Sequence, residues 1–256
     1  MNVLDEIIAN KREEVAKLKT RKVIEGFSKT MNYKRQTISL KQSIIDNGFG
    51  IIAEIKRKSP SGGDIKTDVN VTEQSKFYED NGAAGISILT DDKYFGGNII
   101  DIISGRKGTN LPILRKEFII DEVQLYESKI FGADAVLLIG AVLNYPRALN
   151  LTKKAHELGL EVLYEVHKAE EVTYIPPDVD MIAVNNRDLK AQQTSLQHSF
   201  DLIKILPKHI PAISASGIST SQDIEALRAA GFKGALIGES ILREGHLAEL
   251  VKNLKP

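Results

Sequence analysis

The chain has 256 residues, with 34 basic and 34 acidic side chains and no cysteine. That length suits one large domain or two small ones, and the balanced charge gives no sign of wholesale nucleic-acid binding. Without cysteine there is no disulfide, no thiolate nucleophile and no zinc–thiolate site.

The first residues, M-N-V-L-D-E-I-I-A-N-K-R-E-E-V, are too charged for a secretory signal, and no apolar run is long enough to span a bilayer. A cytoplasmic protein with no membrane partner is expected, and the Asn-X-Thr matches at Asn70 and Asn150 read as chance. Leu4, Ile7, Ile8, Val15 and Leu18 form a helical stripe opposite a charged face. Such a helix can serve a partner or a membrane, but packing on its own domain is the preferred reading. A polar stretch over 29–35 leads to a second apolar segment over 40–45, and Asn47-Gly48 turns the chain into its first strand.

From there strand, loop and helix repeat. The expected strands are 51–55, 85–89, 112–114, 133–139, 161–166, 181–184, 212–214 and 234–237. Asn70 with Glu73, Asp121 with Gln124, and Ser219 with Gln222 read as capping boxes. Gly82, Gly132, Gly159 and Gly231 read as helix ends, spaced by one, two or three units of about 25 residues. Eight such units predict an α/β protein, a single (β/α)8 barrel over 49–256, with an N-terminal helical extension over 1–48 packed on it. An open doubly wound sheet is the alternative, but its G-x-G-x-x-G turn after the first strand is missing.

A barrel of this kind carries its site at the C-terminal strand ends. In the first strand, I-I-A-E-I-K-R-K-S-P-S-G-G, alternation puts Ile52, Glu54 and Lys56 on one side and Ile51, Ala53 and Ile55 on the other. Charges at the mouth of a buried strand pair or bind something, and the Ser59–Gly63 stretch beyond them reads as a cover over a site. In the third strand Leu114, Lys116 and Phe118 share the inward side, with Arg115 and Glu117 turned toward helices. Burial would favour a neutral Lys116, and a nearby carboxylate the charged form. In the fifth strand Glu165 falls near the end; His167 shares its side but lies just beyond and reads as a loop residue. No two histidines have metal-ligand spacing, so no metal is expected. In the sixth strand Asn185 faces inward, and Arg187 and Asp188 follow as a candidate local pair. The last two strands end in S-A-S-G-I and L-I-G-E-S, small-residue turns before helices that suit an anion.

The segments I-A-E-I-K-R-K-S-P-S-G, L-T-D-D-K-Y-F-G-G, P-I-L-R-K-E-F-I-I-D, Y-E-V-H, V-N-N-R-D-L and L-I-G-E-S, in this order, resemble indole-3-glycerol phosphate synthases from the first strand onward. The resemblance implies a lyase of tryptophan biosynthesis. It would close 1-(2-carboxyphenylamino)-1-deoxyribulose 5-phosphate to an indole with loss of CO2 and water, without cofactor or metal. Lys116 would be the general acid, Lys56 would hold the anthranilate carboxylate and assist dehydration, and Glu165 would take the proton that restores aromaticity. Glu54 would orient the lysines and Asn185 bind a sugar hydroxyl. Phe95 and Phe118 would sandwich the aromatic ring. Lys58, Ser216, Gly217, Gly238 and Glu239 would hold the phosphate, with Arg187 nearby and Ser59 and Leu189 in the substrate-binding set. The partner would be a small phosphorylated molecule, and a monomer is expected, with an oligomer left open.

One position departs from the family: after the seventh strand S-E-S-G is usual, and here Ala215 replaces the glutamate. Ala215 keeps alive a second reading, a weakly active or non-catalytic barrel that binds a phosphorylated ligand. A third, a phosphoribosylanthranilate isomerase, is disfavoured because that reaction uses a Cys/Asp pair.

Overall fold

The computed structural model describes residues 3–60, 62–187 and 194–252, without the side chains of residues 243 and 244. Eight parallel strands close into a barrel: β1 (Gly50–Ile55), β2 (Gly85–Leu89), β3 (Ile113–Lys116), β4 (Ala135–Ile139), β5 (Glu161–Val166), β6 (Met181–Asn185), β7 (Ala212–Ala215) and β8 (Gly234–Ile237). Neighbours in sequence are neighbours in the wall, and β1 closes the ring by pairing with both β2 and β8. A helix follows each strand, from Val71–Asp80 after β1 to Glu239–Glu244 after β8. The fold is the barrel that the repeat predicts, not the open sheet. Three strands, β3, β6 and β7, run one or two residues further than expected toward the mouth, because pairing continues into the polar mouth, as at Asn185↔Ala215.

Side-chain alternation divides the apolar residues into two cores. Ile52, Leu114, Leu137, Leu163, Ala183, Ile213 and Leu236 fill the barrel, while Ile51, Ala53, Ile55, Val136, Val162 and Ile182 pack outward against helices. The apolar segment before β1 is a helix, Leu40–Asp46, capped by Ser39, and its fully buried Leu40 and Ile44 plug the N-terminal end. The plug sits so close that a Cβ on Gly85 would lie 2.4 Å from the Leu40 side chain. Beside it the buried carboxylate of Asp134 accepts from Arg35 and Arg106 and from the backbone N–H groups of Ile38 and Ile113.

The caps hold with two corrections. Asp121 and Gln124 form the expected box. Asn70 accepts from Thr72 and Glu73 but receives nothing in return. The third box is Thr220 with Asp223, one residue past the expected pair; Asp223 also accepts from the N–H of Ser219, so its carboxylate reaches both candidate positions.

The N-terminal helix α1 (Val3–Thr20) buries Ile7, Lys11, Val15 and Leu18. Val15 and Leu18 pack on Val123. Lys11, only 2% exposed, puts its ammonium 2.9 Å from both Asp91 and Glu117. These carboxylates lie in the segments after β2 and β3. Among the described residues, no helix is long and apolar enough to cross a membrane.

Candidate active site

The strand C-terminal ends open into a cavity of about 460 Å³, within the ~300–1,000 Å³ usual for small-molecule sites. Its floor is Leu137, Ile139 and Leu236, and its charged lining includes two lysine–glutamate pairs. Lys56 Nζ donates to Glu54 Oε1 at 2.9 Å. Lys116 Nζ donates to Glu165 Oε2 at 3.3 Å, and Asn185 Nδ2 donates to Oε1 of the same carboxylate at 3.2 Å. Each of these side chains has the parity of the barrel interior, which is why four strands, β1, β3, β5 and β6, deliver the five to one space.

Burial and pairing compete at both ends of the Lys116–Glu165 contact. Burial pushes the Lys116 ammonium down, but Glu165 and then Glu54 outweigh it and leave the pKa above its ordinary value. Burial pushes Glu165 up, but Lys116, His167 and the Asn185 hydrogen bond hold it below the usual carboxylate range. The pair is therefore an ammonium and a carboxylate at neutral pH, an acid and a base 3.3 Å apart.

The opposite rim is built from backbone. Ser216 and Gly217 both have φ of 72°. Ser216 holds this left-handed conformation without being glycine, at a cost of order 1–3 kcal/mol; Asn186 steadies it by donating to the Ser216 carbonyl at 3.0 Å. Ser240 donates to the Ile218 carbonyl at 3.1 Å, tying the turn after β7 to the one after β8. Gly238 must be bare, since a Cβ there would fall 2.7 Å from Glu54 Oε1. Ser216, Gly217, Gly238, Glu239 and Arg187 all line the cavity.

The family model for indole-3-glycerol phosphate synthase matches residues 4–254. The chain belongs to the indole-3-glycerol phosphate synthase family. The enzyme of that name from Bacteroides thetaiotaomicron is 46% identical over 98% of this chain and 97% of its own length. That from Exiguobacterium sibiricum is 40% identical over 98% and 96%. Among solved structures, 3-hexulose-6-phosphate synthase from Salmonella typhimurium superposes with a TM-score of 0.62 at 17% identity, covering 80% of this chain and 96% of its own. N-acetylmannosamine-6-phosphate 2-epimerase from Clostridium perfringens gives 0.60 at 15% identity, over 86% and 97%. At such identities these two describe the barrel alone.

Several positions in this member of the indole-3-glycerol phosphate synthase family differ from the sequence-based expectation. Phe95 and Phe118 touch each other, with centroids 6.0 Å apart and planes inclined by 37°. A ring stacked between two faces needs about 7 Å, twice the thickness of an aromatic ring, so here they form one wall rather than two jaws. Lys58 is not at the cavity; its stem runs against Gly96. The expected cover carries a two-stranded hairpin, Lys58–Ser59 with Gly63–Asp64, and Ser59 and Pro60 face the cavity. Asp188, Leu189 and Ser61 lie outside the described residues.

Ala215 is 2% exposed, lines the cavity and pairs in register with Asn185, so a longer side chain there would project among these charged groups. Two contributions were not foreseen. Leu4 and Ile7 of α1 line the cavity. His167 does lie in the loop just past β5, but it is 7% exposed, lines the cavity, and holds Nε2 3.4 Å from Glu165 Oε1. Its shared parity with Glu165 was the available signal.

Proposed function

We propose that the chain is an indole-3-glycerol phosphate synthase, a carboxy-lyase of tryptophan biosynthesis, and that the two lysine–glutamate pairs do its chemistry. The observation that carries this is the Lys116–Glu165 contact facing Glu54–Lys56 across one cavity. As the ring carbon bearing the carboxylate attacks the substrate carbonyl, Lys116 gives its proton to the carbonyl oxygen. The carboxylate departs as CO2 and its electron pair stays in the ring. Lys56, which first holds that carboxylate, protonates the new hydroxyl, which leaves as water. Glu165 then takes the carbon-bound proton and the indole is aromatic. Two protons enter and one is recovered, so one comes from solvent, matching the carboxylate charge lost with CO2. Glu54 and Asn185 fix Lys56 and Glu165, and the aromatic wall of Phe95 and Phe118 takes the ring. The deciding measurement is turnover of the carboxyphenylamino substrate followed by indole fluorescence; none with purified protein removes this reading.

The turns at Ser216-Gly217 and Gly238-Glu239 take the phosphate, with Arg187, mainly through backbone N–H groups. Inorganic phosphate is then expected to compete with substrate, raising KM and leaving kcat alone, and a crystal grown in it should hold the anion between these turns. Phosphate that lowers kcat without touching KM would place the anion elsewhere.

Ala215 favours the second reading, a binding barrel with weak or no catalysis. We hold to the synthase because both acids and the base are present. Ala215→Glu is expected to raise kcat/KM by roughly 5- to 150-fold, the worth of a hydrogen bond to a charged group, ~1–3 kcal/mol. Unchanged activity would mean that this site works without the carboxylate. No turnover in either form would support the binding barrel.

The chain is further proposed to act as a monomer in the cytoplasm. The lack of cysteine fits a reducing compartment. Residues 1–48 form a helical extension whose first helix helps to line the cavity, and 49–256 form the catalytic barrel.

A further inference from the structure

His167 is a buried titratable side chain at the cavity that the mechanism above leaves unused. Among the described residues, neither ring nitrogen finds a hydrogen-bond partner. Nε2 faces Glu165 Oε1 at 3.4 Å, close but out of hydrogen-bond alignment. The ring is held from behind: the His167 backbone N–H donates to Glu171 at 2.7 Å, fixing the residue where β5 ends. A histidine with both nitrogens buried and unmatched beside a catalytic carboxylate has unspent hydrogen-bonding capacity.

We propose that His167 is a positioning residue for Glu165, donating Nε2–H to Oε1 when the site is occupied. Oε1 is then held by two donors, Asn185 Nδ2 and His167 Nε2, and Oε2 alone is left between Lys116 and the substrate. The carboxylate presents one lone pair, in one direction, to the carbon-bound proton. The charged groups around the imidazole are Glu165 and Glu171 from its own segment, Lys116 from β3, and Arg187 from the loop after β6, which shares the cavity.

The inference rests on the synthase reading, and its test separates the two. His167→Leu removes the donor and is expected to lower kcat by roughly ten- to a hundredfold with KM within about threefold. His167→Gln, which keeps a donor near the Nε2 position, should recover most of kcat. A kcat in His167→Gln as low as that in His167→Leu would overturn the proposal, as would wild-type kcat in His167→Leu. A second measurement needs no turnover. The ring signal of His167, assigned by its loss in His167→Gln, is followed by NMR against pH in the otherwise unaltered protein and in Glu165→Gln. A changed titration supports the contact; an identical one overturns it. An inactive wild-type protein whose His167 signal responds to Glu165→Gln would defeat the synthase reading and leave the contact standing.

Discussion

Lys116→Met is expected to abolish turnover while largely sparing substrate binding. Methionine keeps the length and apolar stem of lysine, so the packing between Leu114 and the aromatic wall survives. It cannot protonate the carbonyl oxygen, and loss of a positioned general acid lowers kcat on the order of 100- to 10,000-fold. The base suffers as well. Glu165 is held below the usual carboxylate range first of all by Lys116 against the push of burial, so without the ammonium its pKa rises and its ionised fraction near neutral pH falls. Indole fluorescence gives kcat, and quenching of a fluorescent anthranilate-type ligand gives the dissociation constant. A variant within a few-fold of wild type would remove Lys116 from the chemistry.

The largest effect on stability is expected from Lys11→Met. The ammonium is 2.9 Å from both Asp91 and Glu117. Glu117 also accepts from Thr90 and from the Phe118 N–H, and Asp91 accepts from the Tyr94 N–H. Removing the cation leaves Asp91 buried without a counter-charge and Glu117 with only Arg115, 3.6 Å away, and breaking such a buried pair costs about 3–5 kcal/mol. A urea titration with unchanged slope and a lowered midpoint would register it. Adding Asp91→Asn and Glu117→Gln to Lys11→Met should restore part of the loss, because the orphaned charges go too. If Lys11→Met melts like wild type, the contact is without consequence. The pH dependence follows from the shifts. Burial raises Glu117, but Lys11 and Arg115 more than reverse this and leave it below its ordinary value. Its contribution is therefore present above the unfolded carboxylate range near pH 4.5 and lost as pH falls through its lower folded value. Burial lowers Lys11, but Glu117 and Asp91 overcompensate and raise it. Its contribution is full below about pH 10.5 and lost only above that.

The barrel was legible because the same strand reports itself twice, once by apolar residues at one parity and once by charges at the other. Ile52, Glu54 and Lys56 share a side, and so do Leu114 and Lys116; the period of two carries each polar group from core to mouth. His167 kept the same period in the loop just past β5, where parity says little about whether a side chain will be buried at the mouth. Lys11 was hidden for a different reason. It sits at the helical spacing between Ile7 and Val15, squarely on the buried face, but an apolar stripe is read by its apolar members, and only the fold brings two acidic partners to it. The Phe95–Phe118 contact depends on where two loops place their ends, a distance that no local spacing encodes.

Lys11 bridges a carboxylate that caps the turn bearing Phe95 and another that holds the N–H of Phe118. Docking of α1 and the setting of the aromatic wall thus share one ammonium and form a linked equilibrium. A planar ligand bound on the wall is stabilised by a docked helix, and by reciprocity it holds the helix down. Slowed hydrogen exchange in the amides of α1 would then report an occupied cavity, with no label on the substrate and no chemistry required.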